Sequence, residues 1–231
     1  MDRLTRKELK TDRFAVEVGH TLDFLTTHRQ QAIRYGVVAA VVVVAALAVY
    51  LFTRHQRGAR QQALVSALRI YQAPIGSPEP GGYATQGERD KAVAKAFTEL
   101  AGRYSGSDEA AVAQYYLGAQ AADQGRLAEA EKAFRQAADS GHAGYASMAR
   151  LALAEIHAGQ GKLAEAEKLL RSLMEKPTLF VSREQATIEL ARLTGPTKPA
   201  EARKLLEPLR THERSAISRA ALTYLNSLPA Q

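Results

Sequence analysis

The chain contains no cysteine and no tryptophan, and aromatic residues make up only 6% of it. Without cysteine there is no disulfide, no thiolate metal ligand, no cysteine nucleophile and no acylated-cysteine lipoprotein anchor. The scarcity of aromatic rings argues against a platform on which nucleic-acid bases stack. These absences exclude functions that depend on thiol chemistry and disfavour those that depend on base stacking.

Strong charge of one sign is also missing. The net charge is +7, from 31 Lys and Arg against 24 Asp and Glu. Residues 1–34 hold seven basic and five acidic residues, and residues 53–231 hold 24 and 19, which leaves +2 and +5. Neither part has the dense basic patch of a nucleic-acid-binding surface. We therefore predict no nucleic-acid partner.

Motifs for catalysis are missing as well. The six histidines are scattered, and no two of them have the spacing of a metal site. Residues 159–162, Gly-Gln-Gly-Lys, resemble part of a phosphate loop, but Ile156 stands where the first glycine belongs and Leu163 replaces the Ser or Thr. His157 is expected to be a hydrogen-bonded packing residue. We predict that the chain is not an enzyme and has no catalytic residue, metal, cofactor or small-molecule substrate.

What the chain does have is one long apolar run. Residues 35–52 carry no charge and, as a helix, would span roughly 27 Å, close to the thickness of a bilayer core. Arginines and interfacial aromatic residues stand at its ends: Arg34, Tyr35, Tyr50, Phe52 and Arg54. The run is longer than the core of a cleavable signal peptide. We predict an uncleaved transmembrane helix over residues 35–53.

The tail before this run, residues 1–34, is predicted to be cytoplasmic and partly helical. Its seven positive charges disfavour translocation, whereas a long C-terminal domain crosses largely regardless of charge. Residues 5–8 fit a helix-capping box. The spacing of the apolar residues that follow places four of them on one face of a helix: Phe14, Val18, Leu22 and Leu25. This face could rest on a lipid leaflet, dock on a membrane partner or belong to a partly ordered tail. Gly36 and Ala40 form a small-residue pair that could contact another membrane helix.

The most informative feature is an internal repeat. The sequence LAEAEKAF at residues 127–134 returns as LAEAEKLL at 163–170, a shift of 36 residues. A period of this length is typical of stacked helical hairpins. Four apolar positions recur at spacings of 37, 36 and 36, and each has an apolar residue three places on: Phe97, Phe134, Leu170 and Leu206, followed by Leu100, Ala137, Leu173 and Leu209. Gly125 and Gly161 are expected in the turns between helices.

The predicted fold is all-α, with an N-terminal transmembrane helix, a solenoid of about four helical hairpins and a capping helix. Residues 54–87 form a membrane-proximal helix and a Pro/Gly-rich loop, and residues 88–228 form the repeat domain. In the fourth hairpin we expect Ser182 to cap the first helix, Pro199 to begin the second and Pro208 to kink or shorten it. Residues 214–228 read as the capping helix.

The repeats resemble the tetratricopeptide repeat. One unit matches at Leu117-Gly118, Ala130, Phe134 and Ala137, and the next matches at Leu153-Ala154, Ala166, Leu170 and Leu173. The order of charged tail, single span and repeat array resembles the ancillary subunits of the SecYEG translocon. That resemblance implies a bacterial inner-membrane protein with a periplasmic repeat domain. The partners that it implies are translocon subunits, periplasmic chaperones or nascent secretory proteins.

Two alternatives keep the architecture and change the role, namely an envelope-assembly or cell-division adaptor, and a cytoplasm-facing assembly platform. In every case binding is expected on the first helix of each hairpin, which lines the concave side of such arrays. The register places seven residues in this predicted protein-binding groove: Tyr115, Ala119, Asp123, Leu151, Glu155, Ile188 and Arg192. The residues of the repeated sequence are expected either to pack in the core or to lie on the surface. On the surface we expect the ion pairs Glu131–Arg135 and Glu167–Arg171.

Overall fold

The computed structural model describes residues 29–76 and 81–229. In those ranges the chain forms nine α-helices and one 3-10 turn, with a single isolated β-bridge and no strand. The helices are α1 (Arg29–Tyr71), α2 (Gln86–Arg103), α3 (Asp108–Asp123), α4 (Leu127–Ala138), α5 (Ala143–Gly159), α6 (Leu163–Glu175), α7 (Arg183–Thr194), α8 (Pro199–Leu206) and α9 (Ser215–Ser227). The predicted all-α class is confirmed. The capping box and apolar face of the tail lie outside the described residues.

The chain divides into two compact units, residues 1–58 and 59–231. In the first unit, the part of α1 that carries the apolar run is exposed throughout residues 33–52. Its most apolar window has a mean hydropathy of 2.6 and none of it is buried, so in the described residues this is the one helix long and apolar enough to cross a membrane. The predicted span and the Gly36–Ala40 pair both lie in this helix.

In the second unit, Ala67 from the last turns of α1 shares a core with Val93 and Phe97 of α2. From α2 onwards, each helix packs on the next along the chain. The short second helices α4 and α6 have one strongly apolar face, and that face carries the repeated positions. All eight predicted core residues are buried: Phe97, Leu100, Phe134, Ala137, Leu170, Leu173, Leu206 and Leu209. The register read from the 36-residue period is therefore confirmed. Burial of these side chains, rather than helix propensity, stabilises such short helices.

The turns that follow α3 and α5 have the same geometry. Gly125 and Gly161 adopt φ values of 72° and 76°, the left-handed region that favours glycine. In each turn, the residue after the glycine donates a backbone hydrogen bond to the end of the preceding helix. Arg126 N donates to Ala121 O, and Lys162 N donates to His157 O, both at 2.8 Å. These are the long bonds of a Schellman motif. The repeated Gly-basic dipeptide therefore sets the same exit from both first helices.

The fourth hairpin has its cap and its two prolines where the sequence predicts them. Ser182 Oγ accepts a hydrogen bond from Gln185 N at 3.2 Å, and Pro199 is the first residue of α8. The second helix stops at Leu206 and continues as the 3-10 turn Glu207–Leu209, which contains Pro208. Ala221 and Leu225 of α9, together with Leu228 just after it, then cover the apolar surface of α7 and α8.

Backbone hydrogen bonds join the two described ends of the Pro/Gly-rich segment before α2. Gly76 N donates to Tyr83 O at 2.9 Å, and Tyr83 N donates to Pro74 O at 3.0 Å. Thr85 caps α2, because its Oγ1 accepts from Glu88 N at 3.2 Å. The helix consequently begins at Gln86, whereas the sequence reading extended the loop to residue 87.

Candidate protein-binding groove

Aromatic side chains from four segments of the second unit meet in one cluster, which we call the tyrosine cluster. Its members come from the end of α1, from α3, from α5 and from the loop before α7: Tyr71, Tyr115, Tyr116, Tyr145 and Phe180. Ring centroids lie 5.0 Å apart for Tyr71 and Tyr116, and 5.5 Å apart both for Tyr115 and Tyr145 and for Tyr145 and Phe180. These contacts are edge-on, the arrangement that ring quadrupoles favour.

The cluster is anchored to the core on its inner side. Tyr116 stacks on the fully buried ring of Phe97 with centroids 5.1 Å apart, and Tyr115 lies 5.7 Å from Phe134. Tyr115 and Tyr116 are only partly buried, and Tyr71 and Phe180 are exposed. The result is a partly exposed aromatic surface that is fixed from behind by two repeat positions.

Both tyrosines of α3 have a phenol pKa raised above the ordinary value. Burial raises the pKa of Tyr115, and the neighbouring Tyr116, Glu155 and Tyr71 raise it further. Burial also raises the pKa of Tyr116, with a smaller effect from the hydroxyl of Tyr145. At neutral pH these phenols are therefore uncharged hydrogen-bond donors and not anions.

A cavity of about 270 Å³ lies between α5, α6 and α7, and we call it the α5–α7 cavity. Its walls are mainly apolar, and its charged residues come from two first helices. The lining residues are Leu151, Ala154, Glu155, Ala158, Leu163, Leu170, Glu189, Arg192 and Leu193. Mostly apolar walls with a few polar groups are what a ligand or peptide site requires.

The three charged side chains of this cavity are not equivalent. Arg192 Nη1 donates to Glu189 Oε1 at 2.8 Å and forms an ion pair within α7. Glu155 has no hydrogen-bond or ion-pair partner among the described residues. Glu155 is an exposed residue, yet partial burial of its carboxyl raises the pKa, and repulsion from Glu189 raises it further.

A second cavity, of about 440 Å³, lies between α7, α9 and the loop before α7. Leu179 is 102% exposed at the tip of this loop, and Phe180 is 49% exposed beside it. Thr178 fixes the loop, because its Oγ1 accepts from Phe180 N at 3.2 Å and from Val181 N at 3.1 Å. The same Oγ1 is 2.7 Å from Oγ of the fully buried Ser147. Two large apolar side chains are thus held at the surface by a rigid backbone.

The structure brings together only part of the predicted groove. Leu151, Glu155 and Arg192 line the α5–α7 cavity, and Arg192 also lines the second cavity together with Ile188. Tyr115 and Ala119 instead pack against the core of α3, α4 and α5. Asp123 is exposed at the end of α3.

Other residues of the site were missed by sequence reasoning. Tyr145 lies 30 residues after Tyr115, outside the 36-residue register, and Phe180 belongs to a loop. The adjacent pair Tyr115-Tyr116 is the sequence feature that could have indicated the tyrosine cluster, because one helix can present two adjacent rings to two different neighbouring helices. Ile188 is only 6% exposed, so it forms part of the wall of the second cavity and offers little surface for a partner to contact.

His157 is buried as expected, with 6% of its surface exposed. The expectation that it is hydrogen-bonded is wrong for one ring nitrogen, because Nδ1 has no hydrogen-bond partner in the described part of the chain. Across residues 29–76 and 81–229, no group of three or more His, Asp or Glu side chains is placed to hold a metal ion.

The paired helices, the glycine turns, the capping helix and the open cavities define a helical-repeat binding protein. The chain belongs to the family described as tetratricopeptide repeat-like domain, whose model matches residues 29–208. The match includes the apolar part of α1 and ends before α9, and it confirms the resemblance to that repeat. No curated protein and no solved structure matches the chain.

Proposed function

We propose that the protein is a membrane-anchored scaffold whose repeat domain binds other proteins at the extracytoplasmic face of the bacterial inner membrane. In this proposal it serves the translocon and the periplasmic chaperone network as an ancillary component. The α5–α7 cavity carries the proposal, because it offers an apolar, partly charged binding surface on the helices that carry ligands in repeat arrays. Membership of a tetratricopeptide repeat-like family supports protein as the ligand.

Anchoring rests on the exposed apolar part of α1. A run of large apolar side chains with no burial in the first unit would be costly in water, and a bilayer removes that cost. The apolar run lies in the interior of α1, where the backbone amides are paired within the helix, and a bilayer demands such pairing. Fixing the repeat domain to a membrane also raises its effective concentration near membrane partners, so that weak contacts can suffice.

The first experiment determines the membrane topology. Because the chain contains no cysteine, an introduced cysteine supplies the one thiol that a reagent can label. Gly141→Cys places a thiol on an exposed turn near Ser140, where an added side chain meets nothing within 4 Å. In intact cells a membrane-impermeant maleimide should label this thiol and should not label Thr11→Cys in the tail. The reverse pattern would reject the extracytoplasmic assignment and favour a cytoplasm-facing platform. Labelling of both after lysis serves as the control.

Partner capture is the second experiment. A photo-crosslinking residue in place of Leu151, in the full chain and in native membranes, should trap translocon subunits, periplasmic chaperones or secretory chains. The same residue in place of Lys132, which is exposed on α4, should not trap them. Capture only of cytosolic proteins would reject the proposal. Capture only of division or envelope-assembly proteins would favour the adaptor role.

A further inference from the structure

Charge in the α5–α7 cavity has the opposite sign to the charge of the domain that surrounds it. Residues 53–231 carry 24 basic and 19 acidic residues. The cavity carries two carboxylates and one guanidinium, and that guanidinium is already paired with Glu189 at 2.8 Å. Glu155 is therefore an uncompensated negative charge, with respect to the described residues, on a positively charged domain.

The surroundings of Glu155 fit the long side chain of a basic residue. Leu151, Ala158 and Leu193 provide apolar walls along which a methylene stem can lie while its charged end reaches the carboxylate. On the neighbouring helix α3, Tyr115 is close enough for the charge of Glu155 to act on its phenol.

We propose that the α5–α7 cavity binds a protein segment through one Lys or Arg side chain, whose cation pairs with Glu155 beside the tyrosine cluster. This inference rests on the proposed scaffold function and names the chemistry of its partner. A cation there removes the repulsion between Glu155 and Glu189 and leaves the Glu189–Arg192 pair intact. Specificity follows, because an acidic segment would add a third negative charge to the cavity.

The test uses the full chain in native membranes with the Leu151 photo-crosslinker, combined with Glu155→Gln. This change removes one charge and keeps the size of the side chain. The matched control is Glu165→Gln, which removes the same charge from an exposed position on α6 outside the cavity. Capture should fall about fivefold with Glu155→Gln, the upper end of the effect of one accessible ion pair, and should not change with Glu165→Gln.

The captured segments then provide the probe. After digestion with a protease that does not cut at basic residues, each crosslinked segment should contain a Lys or Arg near the crosslink. A synthetic copy with that residue replaced by norleucine or citrulline should bind the wild-type chain about fivefold more weakly and bind the Glu155→Gln chain no differently from the unmodified copy. This loss of coupling separates a direct pair from a structural effect of the substitution.

The possible failures are distinguishable. Strong capture that is insensitive to Glu155→Gln, or captured segments without a basic residue, would overturn this inference and leave the scaffold function standing. No protein captured at Leu151 in wild-type membranes would overturn both. Circular dichroism of the purified Glu155→Gln chain should match that of the wild type, so that loss of capture reports on binding.

Discussion

The ring of Phe134 lies against the backbone of Gly118 so closely that a Cβ built on Gly118 would stand 2.7 Å from Phe134 Cδ1. One residue belongs to a first helix and the other to the second helix of the same hairpin. Because Phe134 occupies a repeated core position, its ring cannot move aside without disturbing the packing between hairpins.

We expect Gly118→Ala to destabilise the repeat domain by about 1–3 kcal/mol, the usual cost of forcing an extra methyl group into a packed core. The matched control is Gly102→Ala on α2, where an added Cβ meets nothing within 4 Å. That change should stabilise the protein by up to about 1 kcal/mol, because alanine is the better helix former. Urea unfolding followed by circular dichroism measures both, and equal effects of the two changes would contradict the close approach.

The end of the array gives a second pair of variants within one helix. Leu225 is 7% exposed and packs in the core formed by α7, α8 and α9, whereas Leu222 is 37% exposed. Leu225→Ala should cost about 2–5 kcal/mol, because it leaves a cavity in a packed cluster. Leu222→Ala should cost less than about 1 kcal/mol. Hydrogen exchange should locate the loss of protection in α7–α9, since each hairpin contacts only its neighbours.

Thr178 offers a test of the loop that presents Leu179 and Phe180. Thr178→Val removes the hydroxyl that accepts from two backbone amides and pairs with Ser147, and should destabilise the domain by about 1–3 kcal/mol. Thr178→Ser keeps that oxygen and should lose much less. Limited proteolysis at residues 177–181 should accelerate in Thr178→Val only. Equal proteolysis of both variants would show that the hydroxyl does not hold the loop.

The raised pKa of Glu155 predicts a specific pH dependence. A carboxyl whose pKa is higher in the folded than in the unfolded state favours folding when protonated, and this favourable contribution is lost as pH rises through the folded pKa. Glu155→Gln should therefore have a higher Tm than wild type at pH 7, and the difference should vanish below the ordinary pKa of glutamate. A Tm difference that grows towards acid pH would contradict this sign.

Glu131 should behave in the opposite way. Its hydrogen bond from Arg135, at 2.5 Å, lowers the pKa of the carboxyl, so its contribution to stability is present above the ordinary glutamate pKa and lost as pH falls through the lowered value. Glu131→Gln should accordingly lower Tm at pH 7, with no difference at strongly acid pH. Measuring both variants over one pH series makes each the control of the other.

The sequence predicted the parts of the fold that follow a fixed period. The buried positions of the second helices, the glycine turns, the proline that begins α8 and the ion pairs Glu131–Arg135 and Glu167–Arg171 were all read from spacing and are confirmed. These features depend on local backbone geometry, and the repeat shows the same geometry several times along the chain. Spacing is enough in these cases because each contact lies within a hairpin or between successive hairpins.

The site was predicted less completely, for a physical reason. The tyrosine cluster depends on Tyr145, which is out of register, and on Phe180, which a hydroxyl-braced loop brings over Gly144. No periodicity encodes either position. The register alone also could not separate Tyr115, which packs against Phe134, from Glu155, which faces the cavity. Both lie on first helices, and only the packing of neighbouring side chains distinguishes them.

The position of α9 bears on how such an array can change in length. Its residues Ala221 and Leu225, with Leu228 just after the helix, occupy the apolar surface that a further hairpin would need for stacking. A hairpin appended after α9 would find no such surface, whereas one duplicated between α2 and α7 would meet matching neighbours on both sides. Lineages that acquire longer binding surfaces on this scaffold should therefore do so by internal duplication, with the sequence of α9 displaced but retained.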